Sequence, residues 1–254
     1  MRLLPATFVT AFLTAVTAVA QTTLPYDHVH LAAPDQAMAV EWYQKNFGGE
    51  TTPEGKDRLF YGKTRFIWMK SDKAQPSFDS AIDHISFSVG DLDAKMRQLQ
   101  QSGVKVTTPV ERVPGVGRHA FVEDPWGVRI EVIDDAAAPG FHHVHLASTN
   151  PEATLAWYKE RFGGERAKYK NTVDGLKYGD VWVFVRSLDK APVASAGHAL
   201  DHVGWRVTNL DKTLDNLKGI KVLQGVTPLQ LATGPVRFSF VEDPAGTKIE
   251  LVQR

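Results

Sequence analysis

The sequence predicts an α+β chain of two tandem domains. Each is made of two strand–helix–three-strand (βαβββ) units that curl a half-open mixed β-sheet around a cavity. Three observations predict this. The stretch Tyr26-Asp27-His28-Val29-His30-Leu31 returns as Phe141-His142-His143-Val144-His145-Leu146. Each copy then restarts, with Ile82-Asp83-His84-Ile85 in the first half answered by Leu200-Asp201-His202-Val203 in the second. Between these runs lie stretches of helical period opened by capping residues, so every quarter of the chain reads as strand, helix, then more strands. With 254 residues, 43% of them hydrophobic and 23% charged, the chain has the composition of one large globular domain or two small ones.

Residues 1–20 are of another kind. Arg2 gives a positive start, an uncharged run rich in Ala, Thr, Val, Leu and Phe follows, and Ala18-Val19-Ala20 fits the small-x-small cleavage rule. They read as a secretory signal peptide, which predicts a secreted or periplasmic protein beginning at Gln21. The first domain then covers residues 21–135, a linker 136–140 and the second domain 141–254.

The elements follow in order. The strand from Asp27 to Ala32 leads to a helix capped by Asp35; its counterpart has Asn150 as cap and Pro151 at the first helical position. Val40, Tyr43 and Phe47, matched by Leu155, Tyr158 and Phe162, form the buried stripe, and paired glycines end both helices. Strands follow, including 66–70 and 182–186. The unit then restarts with a strand from Asp83 to Val89 and a helix capped by Asp91, with Leu92, Met96 and Leu99 inward. Its partner has Asn209 as cap and Leu210, Leu214 and Leu217 inward. Glu123-Asp124-Pro125 and Glu242-Asp243-Pro244, each with a following Gly, make hairpin turns.

Alternation along strands assigns the faces. Helices must cover Val29/Leu31, Ile85/Phe87/Val89 and Ile130/Val132. The opposite face carries His28/His30, His84 and Glu131 in the first half, and His143/His145, His202 and Glu250 in the second. Two imidazoles and a carboxylate are a set that holds a divalent metal with open positions. The plain alternative is a pair of satisfied histidines at a strand edge. The chain has no Cys, so any metal is held by His and carboxylates. Lys+Arg and Asp+Glu both number 29, which leaves no net field to draw nucleic acid or anionic lipid.

With these residues in hand the chain resembles the vicinal oxygen chelate (VOC) superfamily of glyoxalase I, type I extradiol dioxygenases and the bleomycin- and fosfomycin-resistance proteins. The carriers are Asp27-His28-Val29-His30-Leu31, Trp42-Tyr43 before Phe47-Gly48-Gly49, Asp83-His84-Ile85 and Glu123-Asp124-Pro125-Trp126-Gly127-Val128-Arg129-Ile130-Glu131, with their second-half partners. The resemblance implies two tandem VOC domains with metal ligands at His28, His84 and Glu131, and at His143, His202 and Glu250. The metal is expected to be iron(II) before zinc, nickel or manganese. It also implies a metal-dependent dioxygenase, lyase or isomerase acting on a small molecule, or alternatively a sequestering protein that binds its ligand without turnover. The fourth ligand usual in glyoxalase I falls at Trp68 and Phe184, which leaves a three-ligand, dioxygenase-like set. His119 and His30 are candidates for a histidine beside the metal.

Further expectations concern the surroundings. Phe66, Trp68, Trp182 and Phe184 are placed on the cavity face. Arg65, Arg118, Arg129, Arg206 and Arg237 are candidates for holding an anionic substrate. Asp27 and Asp83 are candidates for orienting an imidazole. The short linker favours consecutive pairing of units, which would build one site within each half.

Overall fold

The computed structural model describes residues 22–254, so the signal-peptide reading of residues 1–20 lies outside the described residues. The first unit is β1 (Tyr26–Ala33), α1 (Gln36–Phe47), β2 (Glu50–Thr52), β3 (Gly55–Tyr61) and β4 (Thr64–Lys70). The second is β5 (Ile82–Val89), α2 (Leu92–Gln101), β6 (Lys105–Val113), β7 (Gly117–Glu123) and β8 (Arg129–Asp134). The third is β9 (Gly140–Ser148), α3 (Pro151–Phe162), β10 (Glu165–Tyr169), β11 (Val173–Tyr178) and β12 (Val181–Ser187). The fourth is β13 (Leu200–Arg206), α4 (Leu210–Asn216), β14 (Lys221–Leu231), β15 (Gly234–Glu242) and β16 (Lys248–Gln253). The expected caps are in place: the side chains of Asp35, Asp91, Asn150 and Asn209 each accept amides of the first helical turn.

The strands form two open eight-stranded sheets, ordered β14-β15-β16-β13-β1-β4-β3-β2 and β10-β11-β12-β9-β5-β8-β7-β6. The first sheet joins the first unit to the fourth and the second joins the second to the third. The expected consecutive pairing is therefore wrong. Short connections favour neighbours, but here the two loops inside the halves cross side by side and satisfy each other's backbone. Gln75 N–H donates to Gly197 O, Ala199 N–H to Gln75 O and Ala81 N–H to Val193 O. Those bonds remove the penalty that a long crossing would otherwise leave in unpaired amides.

The apolar strand faces turn inward, as alternation required. Val29, Leu31, Ile85, Ile130, Val203, Ile249 and Leu251 are all buried in one core that spans both sheets. Helix α1 ties them together: Phe47 stacks on Phe87 of the second sheet at 4.6 Å, while Tyr43 lies 5.0 Å from Trp68 of the first. Helix α3 repeats the device, with Phe162 stacked on Trp205 at 4.9 Å. Each helix also sends a tyrosine to the turn of the following unit. Tyr43 Oη–H donates to Asp124 and Tyr158 Oη–H to Asp243, both at 2.9 Å.

Trp68 and Phe66 correct the face assignment for strand β4. Register pairs His28 with Arg65 and His30 with Ile67, so Arg65 and Ile67 share the histidine face and the two aromatics enter the core. In β12 the frame differs by one residue. Trp182 pairs with His143 and Phe184 with His145, so both aromatics share the histidine face as expected, though of the two only Phe184 lines the cavity. The places beside the histidines are thus Ile67 and Phe184, neither of which ligates a metal.

Two predictions follow from this packing. A fragment of residues 21–135 lacks β9 and β13 and leaves the edges of β1 and β5 open. It should bind metal only as a self-associated dimer, in which β5 of one copy stands in for β13. Size-exclusion chromatography with elemental analysis decides it, and a monomeric fragment carrying one metal would contradict the topology.

The second prediction concerns Asp124. Its Oδ1 accepts the amides of Trp126 and Val128, and burial pushes its carboxyl up to about 7. The native state therefore holds a proton there that the unfolded chain releases near pH ~4, so this group lowers stability as pH rises from about 4 to about 7. Asp124→Asn keeps an acceptor for the turn and removes the charge. Between about pH 4 and pH 8 the difference in urea unfolding free energy should move in favour of the variant, by on the order of a few kcal/mol. A pH-independent difference refutes it.

Candidate metal centres

Every strand that carries a ligand histidine breaks register one residue before it. In the β1–β13 pair, Asp27 is skipped between Tyr26 and His28, and Asp201 between Leu200 and His202. In the β5–β9 pair, Asp83 and His142 are skipped in the same way. A bulge lets two consecutive side chains lean to one side of the sheet, which strict alternation forbids. Asp27, Asp83 and Asp201 thereby reach the Nδ1 of the next histidine at 2.9, 2.6 and 2.6 Å. The expected orienting role of Asp27 and Asp83 is met, and Asp201 joins them. At the remaining bulge, in the third unit, His142 Nδ1 lies 2.8 Å from His143 Nδ1.

The first centre lies in the first sheet. Glu250 Oε2 is 3.2 Å from His28 Nε2 and 3.1 Å from His202 Nε2, and the His30 ring stacks on His202 at 4.1 Å. Donor atoms of His28, His30, His202 and Glu250 all lie within 4.8 Å of one another. The second centre lies in the other sheet. Glu131 Oε2 is 3.1 Å from His143 Nε2 and 3.6 Å from His84 Nε2, and His145 Nδ1 is 3.1 Å from His84 Nε2. All six expected ligands stand at these two centres, with the partners exchanged between halves. His30 and His145 come within ligand distance as well. The sequence placed them on the correct face through the His-x-His alternation but not among the ligands.

The donors fit a cation. His28 Nε2 and His143 Nε2 are buried without a hydrogen-bond partner, because the nearby carboxylate oxygens are close but misaligned. Burial alone would raise the Glu250 and Glu131 carboxyls, yet the facing histidines hold both well below the usual range. Burial would lower His28, but the Glu250 carboxylate and the Asp27 hydrogen bond raise it to about 9. Each centre thus demands positive charge beside a buried carboxylate. Two imidazoles and a carboxylate suit iron, zinc, nickel or manganese.

The second centre opens onto a cavity of about 290 Å³ lined by Phe121, Tyr169, Phe184, Arg129 and Arg186 among others. His119 also lines it. Its Nδ1 lies 2.5 Å from Glu131 Oε1 and its Nε2 3.2 Å from Glu111, whose side chain reaches solvent. Arg129 and Arg186 both donate to Asp83 at 2.7 Å. Of the arginines proposed from sequence, Arg129 alone lines this cavity. Arg65 is taken by Glu54 and Asp27, while Arg118 and Arg237 pair with Asp93 and Asp211 at the surface. Arg206 borders a separate cleft. Arg186 was missed, because nothing in its own strand segment sets it apart.

The first centre depends on a glycine. Gly204 pairs with His28, and a Cβ there would stand 2.1 Å from the His28 ring. That ring is fully buried and held by Asp27 at 2.9 Å.

The sequence model of the Glyoxalase/Bleomycin resistance protein/Dioxygenase superfamily matches residues 26–132 and 140–251. The chain belongs to this superfamily. Among solved structures it is similar to glyoxalase I from Zea mays, with 19% identity and a TM-score of 0.72 over 91% of this chain and 92% of that one. It is also similar to a proposed dioxygenase from Bacillus subtilis, with 15% identity and a TM-score of 0.61 over 92% of this chain and 86% of that one. At those identities the likeness is one of fold. No curated protein matches the chain.

Gly204→Ala should displace His28, destabilise the protein by about 1–3 kcal/mol and abolish metal uptake at the first centre alone. Elemental analysis after dialysis reads the stoichiometry. Full retention of metal at both centres would show that the ring moves freely.

Proposed function

We propose that this superfamily member is an exported, metal-dependent enzyme of the glyoxalase/dioxygenase type, working at the centre formed by His84, His143 and Glu131. The observation that carries the reading is the convergence of this triad, with Glu131 Oε2 at 3.1 Å from His143 and 3.6 Å from His84, on an aromatic-lined cavity. A divalent metal held there, iron(II) first among the candidates, would supply a Lewis acid able to chelate two adjacent oxygens of a substrate. Phe121, Phe184 and Tyr169 offer flat faces to a planar small molecule. Arg129 and Arg186 share the Asp83 carboxylate, Arg186 reaching Asp79 as well, and both line the cavity where a guanidinium can meet an anionic substituent. His119 bridges Glu131 and Glu111, so a proton taken at the cavity can be handed towards the surface. The absence of a carboxylate or amide at Ile67 and Phe184 favours the dioxygenase branch. A second reading, sequestration without turnover, is favoured by His30 and His145, which bring a further donor to each cluster and leave fewer positions open.

The test begins with full-length protein recovered from the periplasm. Its intact mass should lack residues 1–20. It should carry about two metals per chain, and His84→Ala with His202→Ala should remove both. A screen of catechols and 2-oxoaldehyde adducts then separates turnover from binding. His119→Ala should lower kcat by roughly 10²–10⁴-fold at unchanged metal content. Unchanged metal in the double variant would sink the reading, and binding without product would leave sequestration.

A further inference from the structure

We infer that His142 makes the ligand imidazoles of the two metal centres unequal donors, so that the centre at His84, His143 and Glu131 holds its metal more weakly and as a stronger Lewis acid than the centre at His28, His202 and Glu250. The inference rests on metal binding at both centres.

The bulge before each ligand histidine is a repeated position with one exception. Asp27, Asp83 and Asp201 fill three of the four, and each places a carboxylate oxygen on Nδ1 of the next imidazole. A carboxylate accepting that N–H fixes the tautomer and makes the other ring nitrogen a better donor. His142 fills the fourth position and meets His143 nitrogen to nitrogen at 2.8 Å. Such a contact needs one N–H and one lone pair. If His143 is to offer Nε2 to a metal, its Nδ1 carries the hydrogen and His142 Nδ1 supplies the lone pair. His142 then stays neutral, and the backing charge present at the other three positions is missing.

The surrounding cations scale with the bulge carboxylates at each centre, so the difference lies in the imidazoles' own hydrogen-bond partners. At the first centre two bulge carboxylates face three cations, Arg65 at 3.1 Å and Arg254 at 3.2 Å on Asp27 and Lys248 at 2.8 Å on Asp201. Arg65 is also occupied by Glu54 at 2.6 Å. At the second centre the single bulge carboxylate, Asp83, faces two guanidiniums at 2.7 Å each, and Arg186 is also occupied by Asp79 at 3.3 Å. The carboxylate near His142 is one remove away, since Asp135 accepts from the Tyr169 hydroxyl and sits beside Lys170. The outer charges therefore come out even, three cations against Asp27, Asp201 and Glu54 at the first centre and two guanidiniums against Asp83 and Asp79 at the second. What differs is the group backing the ligand imidazoles, a carboxylate behind both at the first centre but a neutral His142 behind one of the two at the second. The second centre is also the one bordering the aromatic cavity, where a chelated oxygen pair would benefit from a stronger Lewis acid.

The experiment is a cobalt(II) titration of the metal-free full chain against a competing chelator, followed by the d–d absorption bands. Wild type should take up two ions in separate steps, about 10- to 100-fold apart in affinity. In the His202→Ala background, which leaves the second centre alone, His142→Asp should tighten the remaining step by about 10-fold and shift its bands. His142→Asn, which keeps an acceptor without a charge, should leave that step within about 3-fold, separating charge from hydrogen-bond geometry. Should His142→Asp fail to fold, Asp27→Asn supplies the reciprocal test and should weaken the tighter step by about 10-fold. Equal affinities in wild type, or a response to His142→Asn as large as that to His142→Asp, would overturn the inference. So would an unmoved tight step in Asp27→Asn. No cobalt uptake at all would instead refute metal binding itself.

Discussion

The antiparallel pairing of β1 with β13 and of β5 with β9 is the constraint on which everything else depends. Each pair is the middle of an eight-stranded sheet, and each takes one strand from either half of the chain. The same register that closes the sheet sets His30 opposite His202 and His84 opposite His145. A site assembled there cannot exist in one half alone. Folding and site assembly are therefore one event, and within each half a tyrosine crosses from one sheet's unit to the other's, Tyr43 to Asp124 and Tyr158 to Asp243, which ties the two sheets to each other.

The bulges turn that pairing into chemistry. Without them an aspartate beside each histidine would point into the apolar core, where an unpaired charge is costly. With them it leans to the histidine side and reaches Nδ1. Burial opposes ionisation of Asp27, Asp83 and Asp201, yet the imidazole hydrogen bonds and facing cations hold all three below the usual carboxylate range. Close packing follows from the same arrangement: the His28 ring, pinned by Asp27, occupies the space that only a glycine at 204 leaves open.

Duplication gives the chain two centres, and divergence around them separates their surroundings. His119, Arg186 and His142 belong to the second centre, where the cavity lies. At the first, Phe240 packs against His202 as Phe121 does against His84, but His142 is matched by Asp27. Units that began alike can thus retain the same ligands while differing in the charge that reaches the metal.

Much of this was legible in the chain. Capping residues and apolar period marked the four helices, and the repeat marked the four units. Alternation put His28, His84, Glu131, His143, His202 and Glu250 on one kind of face, because local geometry alone decides which way a strand residue points. Where alternation failed, as for Asp27 beside His28, the reason was a bulge, which depends on the partner strand and not on the residue itself. Phe66 and Trp68 went astray for a related reason: a shift of one residue in a short strand reverses every face, and only pairing with β1 fixes the frame. The partition of six ligands into two centres was beyond the sequence altogether. Units so alike offer nearly equivalent edges, so local propensity does not choose between them. The choice lies in long-range contacts, the crossing loops that bond to each other and the helices that bridge the sheets. The sequence by itself determined what each residue is and, where alternation holds, which face it takes; only the tertiary structure set the frame of β4, the lean of the bulge residues and which residues meet.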